Sequence, residues 1–567
     1  LEASEHNEPE KMVVPMSYAQ IQTFVAFVFL LFKQNRRFFE FTATGGEDYD
    51  IVNDSEELLE RDLRRNGWDS MLYQLLLDTS RFGLGVVKHW WSVEKQKAPV
   101  SIDPSESTAQ GFTFQRAGET SVQEFTKYEG NRLSNISPYN FFPDTRFPLS
   151  EWKKGAFVAD ETEWHEGQLK EWEADGLVAG IEHVGEMAND DWKVRKQNTR
   201  LDAFSAYMSQ NGHKEDGDRV VCVTECQLKI VPKKYGVGIE DYPVNYLIQV
   251  ANDDRIIRAE PLGYLHDEWT YDVSQFSPDI HQKIGESLAD VIGSLQDVVS
   301  YLINSRLMSV RRSLDNNLIV DPSGVDMATV ESRSPVILMK KGSPRLGVDK
   351  FIRQLNYVDT TTSHLADADM IMKIMQTVTG VNENSMGQFT GGRRSATEAR
   401  AANSGAASRM KVTATLIFSD CIASLGRKMQ TNLRQGISEE SYVKVLGEEA
   451  RMRYQSFHPV EPSALVGSED FFVFDGTLQS EKGFIAQSLQ ELVSAMMSNP
   501  MVMQMLPLNV GKLLEEILLL RGVDNIERFR EEPQPQMLND PTTGALQQPQ
   551  LGGPPAMPQG PPGLPPV

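Results

Sequence analysis

A glycine-rich stretch that runs into an alanine-rich segment carries the residue types most suited to chemistry. It reads GQFTGGRRSATEARAANSGAASRMK, from Gly387 to Lys411. Such a loop can hold phosphate on its backbone amides, and the P-loop pattern G-x-x-x-x-G-K-[ST] adds a lysine for the phosphates and a hydroxyl for Mg²⁺. Gly387 and Gly392 have the P-loop separation, but Arg393 and Arg394 replace the lysine and the hydroxyl residue. The pattern therefore predicts no nucleotide hydrolysis here, and the loop requires another role.

The remaining chemistry-bearing residues form no catalytic or metal-binding pattern. Cys222, Cys226 and Cys421 provide neither a disulfide framework nor a zinc quartet, which favours a reducing, intracellular folding compartment. Cys222 and Cys226 lie four apart in an alternating run, so we expect them on one face of a strand. The nine histidines are scattered and include no H-E-x-x-H motif, so no metal site and no cofactor are predicted. Turn formation is the expected role of three aspartates: Asp144, Asp253 and Asp254.

Composition narrows the class of protein. The 567 residues are 40% hydrophobic and 24% charged, which is typical of a globular chain, and the net charge is −23. Binding to nucleic acid through its phosphates requires clustered Lys and Arg. A chain this acidic is therefore not expected to hold DNA or RNA tightly. The apolar run Ile21 to Phe32 is far shorter than the roughly 20 residues of a membrane span, and predicts a helix buried in a core or subunit contact.

Strands and then long helices are predicted along the chain. Alternation over Arg219 to Ala259 indicates strands, with a hairpin in NYLIQVANDDRIIRAEP. Helical spacing without proline predicts a helix from Ile284 to Leu314 and a second from about Thr361 to Thr379, with short strand-like pieces over 316–358.

The third long helix is predicted from Ala396 to Gln435. Ser395 and Glu398 form a capping box at its start, and Gly436 suits its end. Forty residues at 1.5 Å each make a rod of about 60 Å, which favours a shaft within an assembly. From Pro533 onward the Pro, Gly and Gln content predicts a disordered tail.

This order of elements resembles that of the portal proteins, or head-to-tail connectors, of tailed bacteriophages. The resemblance covers roughly residues 50 to 530. It is carried by four segments that occur in the family's order: YEGNRLSNISPYNFFPDTRF, GESLADVIGSLQDVVSYLINSRLMSVRRSLDNNLIVDP, GRRSATEARAANSGAASR and DFFVFDGTLQSEKGFIAQSLQELV.

The resemblance implies an α+β, portal-type fold with a mixed α/β wing, a helical stem, a small β-containing clip, a long spine helix and a helical crown. The implied segments are the wing at 1–278 and 437–479, stem helices at 279–315 and 359–379, the clip at 316–358, the tunnel loop at 380–395, the spine helix at 396–436, the crown at 480–532 and the tail at 533–567.

The resemblance also implies function and partners. Family members form a ring, usually of twelve subunits, at one capsid vertex of the virion after assembly in the host cytoplasm. Double-stranded DNA passes through the ring during packaging and ejection without sequence-specific binding. The implied protein partners are the terminase large subunit, the major capsid and scaffolding proteins and tail adaptor proteins, with no membrane.

Two sets of residues are candidate sites within this scheme, and neither is catalytic. The DNA-channel set on the tunnel loop is Gly387, Gln388, Phe389, Gly391, Gly392, Arg393 and Arg394. The clip set for partner binding consists of six basic residues in a span with two acidic ones: Arg333, Lys340, Lys341, Arg345, Lys350 and Arg353. For both sets the alternative is an ordinary role, as salt bridges for the arginine pair and as solvated surface for the clip residues.

Two alternative functions stay open on the sequence. One is an enzyme of the packaging machinery, an ATPase or nuclease, using Gly387–Arg394 or the acidic pair Asp190 and Asp191. The other is a non-viral helical scaffold protein that never contacts DNA. ATP turnover would favour the first, and a monomer or elongated dimer in place of a closed ring would favour the second.

Overall fold

The computed structural model confirms a mixed α+β class. It contains two compact units, 1–479 and 480–567. The structure describes residues 12–33, 37–39, 41–42, 49–101, 106–109, 112–115, 120–184, 220–236, 238–314, 318–331, 337–340, 347–354, 361–381, 410–458, 472–473, 487–494, 511, 514 and 517–518.

The first three helices contribute buried residues to the main hydrophobic core of the first unit. They are α1 (Met16–Phe32), α2 (Tyr49–Asn66) and α3 (Trp68–Phe82). The apolar run predicted as a buried helix is the body of α1, and Phe24, Val25 and Val28 lie fully inside the core. That prediction is confirmed. Gly83 ends α3 at a φ of 72°, a left-handed conformation that glycine adopts without strain.

Among the described helices, none has the length and apolar character needed to cross a bilayer.

A long hairpin of β2 (Leu84–Ser101) and β5 (Thr120–Ile136) and one further strand, β11 (Tyr271–Gln275), form a three-stranded sheet in the order β11-β2-β5. Side chains of α2 cover the outer edge of β5: the Asp62 carboxylate accepts from the Asn131 N–H at 2.9 Å, and the Asn66 amide oxygen accepts from the Leu133 N–H at 3.2 Å. The edge amides are thereby paired without another strand. Two short pairs of strands complete this part of the chain: β3 (Glu106–Ala109) pairs with β4 (Phe112–Gln115), and β1 (Phe41–Thr42) pairs with β14 (Phe472–Val473).

A second, five-stranded antiparallel sheet has the order β10-β9-β8-β7-β6. Its bounds are β6 (Phe141–Pro143), β7 (Phe157–His165), β8 (Val220–Ile230), β9 (Val244–Ala251) and β10 (Arg255–Pro261), with helices α4 (Glu166–Ala174) and α5 (Pro232–Tyr235) beside it.

Three predictions in this region are confirmed. The hairpin turns at Asn252 and Asp253, whose φ values of 50° and 58° are left-handed, a conformation that Asn and Asp tolerate. Cys222 and Cys226 both lie on β8 as free thiols. The carboxylate of Asp144 accepts from the Arg146 N–H two residues on at 3.1 Å, which is the predicted turn-forming role.

Three long helices follow: α6 (Leu288–Leu314), α8 (His364–Thr379) and α9 (410–436, with a π-helical turn at Phe418–Ile422). The shorter helices are α7 (Met327–Glu331), α10 (Glu439–Leu446) and α11 (Tyr454–Phe457). Between α6 and α8, β12 (Leu318–Val320) pairs with β13 (Ile352–Gln354). The predicted capping box of Ser395 and Glu398 lies outside the described residues. In the second unit, residues 487–494 are helical and lie within the segment that the resemblance implies as a helical crown.

The first long helix begins at Leu288, and its predicted start at Ile284 was wrong. The Ser287 hydroxyl accepts from the Asp290 N–H at 3.0 Å, and the Asp290 carboxylate accepts from the Ser287 N–H at 3.0 Å. This reciprocal cap satisfies amides that have no partner within the helix and sets the first turn after Ser287.

A buried ionic cluster joins α9 to the three-stranded sheet. The Lys428 ammonium donates to the carbonyls of Trp269 and Tyr271 and to the Asp272 carboxylate, each at 2.9 Å. The lysine and the aspartate are both fully buried, and the ring of His89 lies 3.6 Å from the second carboxylate oxygen. Desolvation, and then the charge of Lys428, lower the pKa of His89 well below its ordinary value, so it is neutral.

The histidines near this cluster predict acid sensitivity. His266 accepts from the Glu268 N–H on its Nδ1, and desolvation and then Lys428 lower its pKa to about 3. Because the unfolded chain takes up this proton near pH 6.5, stability is full above that pH and falls as the pH drops toward 3. Between pH 7 and 4, urea denaturation should show wild-type protein losing about 3 kcal/mol more than His266→Asn. Parallel curves would contradict this.

Candidate functional site on the long helix pair

The two helices α6 and α8 pack side by side against the main core. Ile292 and Val299 of α6 and Ala368 and Met375 of α8 are buried. Polar contacts join the second half of α6 to the start of α8 and the turn before it: Ser305 bonds to His364 at 2.8 Å, and Arg306 donates to the Thr361 hydroxyl at 3.2 Å. With 27 residues at 1.5 Å each, α6 is a rod of about 40 Å.

The segment before α1 and the start of α1 form hydrogen bonds with α6. The side-chain amide of Asn304 accepts from the Met12 N–H at 3.0 Å and donates to the Met12 carbonyl at 2.8 Å. Gln296 accepts from the Ser17 N–H at 2.9 Å and donates to the Val14 carbonyl. These contacts attach the N-terminal segment to α6 at two positions about two helical turns apart.

Each helix of the pair also exposes apolar side chains away from the core. On α6, Val298, Tyr301 and Met308 share one face at helical spacing, and on α8, Met370, Ile374 and Val378 follow at intervals of four. Tyr301 is 70% and Met370 62% exposed in the single chain. We name these six residues the apolar stripes. Rows of exposed apolar side chains on a helix are typical of a protein–protein contact.

Helical periodicity alone does not make this distinction. Val298 and Val299 both fit the helical spacing of α6, and Met375 and Val378 both fit that of α8. The structure buries only Val299 and Met375. The width of the apolar arc on each helix could have predicted the stripes. This arc is wider than the face that a helix needs to pack against one core.

The predicted clip residues lie in and around the β12–β13 pair. The Lys340 ammonium donates to the Pro322 carbonyl at 2.7 Å, so this lysine holds its own turn together. Lys350 and Arg353 are exposed. Three others, Arg333, Lys341 and Arg345, lie outside the described residues.

The predicted tunnel-loop residues all lie outside the described residues, so their arrangement stays a prediction. Only the entry to the loop is seen: α8 ends at Gly380 with a φ of 74°, and Val381 is buried. Asp190 and Asp191, the acidic pair of the enzyme alternative, also lie outside. Within the described ranges, no group of His, Cys, Asp and Glu side chains is placed to hold a metal ion.

A comparison with protein families gives a match over most of the chain. The family described as phage SU10 portal protein matches residues 104–559. The chain belongs to this family. The portal family is structural, and membership implies a phage virion component that assembles as an oligomeric ring and associates with capsid and terminase. The resemblance inferred from the sequence is therefore confirmed. A comparison with curated proteins gave no match.

Proposed function

We propose that this chain is the subunit of a ring at a unique capsid vertex, through which double-stranded DNA is packaged by a separate terminase motor and later ejected. Tail or adaptor proteins attach to the same ring. The single observation that carries this proposal is the pair of apolar stripes on rods of a portal-family chain. Such stripes provide what a ring of side-by-side rods requires, an apolar contact on each copy.

Helix geometry supports a channel of suitable width. Twelve helices packed about 9–10 Å apart form a circle of about 34–38 Å through their axes. Subtracting one helix diameter leaves a bore of roughly 22–28 Å, enough for a duplex without much slack. The net charge of −23 per copy disfavours long-lived contacts with phosphate, so DNA can move through.

We assign the segments to the parts of a portal as the family order implies. The helices α6 and α8 are the stem, and 316–358 is the clip that meets the terminase and adaptors. Residues 380–395 form the tunnel loop, α9 belongs to the spine of the wing, and 480–532 is the crown. Catalysis has no part in this role, since the motor is a separate protein.

The function is tested by imaging the purified chain. Negative-stain particles should show a closed ring with a central hole, and a capsid assembled with the chain should package DNA only when terminase is added. Solid particles or a monomer would overturn the proposal, and ATP turnover by the chain alone would favour the enzyme alternative.

The arginine pair of the proposed tunnel loop gives a more specific expectation. Replacing Arg393 and Arg394 by alanine removes two charges that would contact the DNA backbone transiently, so packaged DNA should become shorter or be retained less well. The length of DNA from purified particles measures this. The matched control replaces another pair of consecutive arginines, Arg64 and Arg65 on α2, by alanine. Its particles should contain DNA of full length. Equal DNA lengths in particles of the wild type, the loop variant and the control would show that the loop arginines do not contact the DNA.

A further inference from the structure

A cleft of about 460 Å³ lies between the two sheets of the first unit. Alternate residues of the five-stranded sheet line one wall, as on any strand that buries one face. The other wall comes from β2 and β5, and the segment after α4 closes one side. The volume falls within the range of small-molecule sites, roughly 300–1,000 Å³.

A polar row crosses the floor of this cleft. In the strand register Asp160 is opposite Glu225, Glu225 is opposite Gln249, and Gln249 is opposite Arg258. Two carboxylates directly opposite each other repel. Lys88 reaches across from β2 and bridges them, with its ammonium 2.8 Å from an oxygen of each.

The charges of this row do not balance. Asp160 and Glu225 carry two negative charges against the single positive charge of Lys88, and Arg258 is engaged by the neighbouring Glu260. One oxygen of Asp160 accepts from Lys88 and from the Tyr271 hydroxyl, whereas its Oδ2 has no partner among the residues described. The side chain of Asp160 is 1% exposed. Burial, above all, raises the pKa of Asp160, because a desolvated carboxylate without full compensation is costly.

Aromatic side chains line the same cleft as this unbalanced carboxylate. They are Trp90 of β2, Trp164, Trp172 and Tyr264. Trp164 and Trp172 meet edge to face, with centroids 4.6 Å apart. The face of an indole attracts cations more strongly than other aromatic rings, and indoles that share a cleft with a carboxylate make a site for an organic cation.

We propose that the cleft binds a small organic cation, an alkylammonium or alkylguanidinium group, with its head donating to Asp160 and its alkyl stem between the tryptophans. The group compensates the excess negative charge and fills the unpaired acceptor at the same time. Its source is a free amine or the Lys or Arg side chain of a partner protein. This inference does not depend on the portal role.

The test compares a cation with its neutral isostere. Butylguanidinium should bind the full chain saturably, by tryptophan fluorescence and calorimetry, and at least tenfold more tightly than butylurea. Asp160→Asn should weaken the cation tenfold or more, since it removes the charge and keeps the shape. The control Glu163→Gln lies on the opposite face of the same strand and should bind as wild type.

A second variant covers the outcome that Asp160→Asn fails to fold. Trp90→Leu changes a partly exposed wall residue and should weaken butylguanidinium severalfold while leaving circular dichroism unchanged. Equal binding of the cation and butylurea, or a cation affinity unchanged by both variants, would overturn the proposal. Spermidine and the peptide acetyl-Gly-Arg-Gly-amide then identify the source: displacement by spermidine alone assigns a free amine, and displacement by the peptide assigns a protein side chain.

Discussion

Replacing Lys428 by methionine is expected to lower the free energy of unfolding by about 3–5 kcal/mol, the largest effect of any single substitution considered for this chain. The buried ammonium is the partner of the Asp272 carboxylate and of two backbone carbonyls. Methionine has a similar volume, so packing is largely kept while one buried charge and two acceptors lose their donor. Urea denaturation followed by tryptophan fluorescence measures the loss.

Two further variants separate charge from packing. Lys411→Met removes an exposed lysine from the same helix and should cost no more than about 0.5 kcal/mol. Adding Asp272→Asn to Lys428→Met should restore about 1–2 kcal/mol, because the uncompensated charge is gone while the carbonyls still lack a donor. The deficit of Lys428→Met should also shrink as the pH falls toward 4, since Asp272 can then be protonated. A loss equal to that of the Lys411 control would exclude a structural role for the cluster.

Placing acidic side chains in the stripe of α8 is expected to dissociate the assembled form. Burying a Met or Ile side chain contributes about 1.5–3 kcal/mol, and Met370→Asp with Ile374→Asp loses both contributions and adds carboxylates to a dry contact. A loss of about 3 kcal/mol per contact lowers association more than a hundredfold. Mass photometry should therefore show monomers where the wild-type chain forms rings, with unchanged helical circular dichroism because both positions are exposed in the single chain.

The matched control makes the same chemical change elsewhere. Ile239 lies in the loop before β9 and is 92% exposed. Ile239→Asp introduces one carboxylate, where the stripe variant introduces two, on the surface of the same unit, and it should leave the rings intact. If the stripe variant also assembles normally, the contact between subunits lies on another face of the chain.

Local patterns predicted several elements because each depends on neighbours in the sequence. The turn at Asn252 and Asp253 follows from the tolerance of these residues for left-handed φ, and the end of α8 at Gly380 follows from the same freedom in glycine. The burial of α1 follows from an apolar run too short for a membrane. The family could also be predicted from the sequence, because the order of the motifs along the chain is a property of the sequence.

Contacts between distant residues were not accessible in this way. Lys428 and Asp272 are 156 positions apart, and Lys88 and Asp160 are 72 apart on different sheets. Each residue taken alone is an ordinary surface type, so composition assigns it to solvent. Only the tertiary packing of helix on sheet and of sheet on sheet shows that these charges are buried, that they pair with one another, and that Asp160 has an acceptor without a partner among the described residues.

The sequence by itself determined the types of element, the lack of a P-loop and membership of the portal family. Tertiary structure decided which apolar side chains of the long helices enter the core and which stay on the surface for another copy. The physical reason is that helical periodicity records where apolar side chains recur along a helix, while burial depends on what lies opposite them.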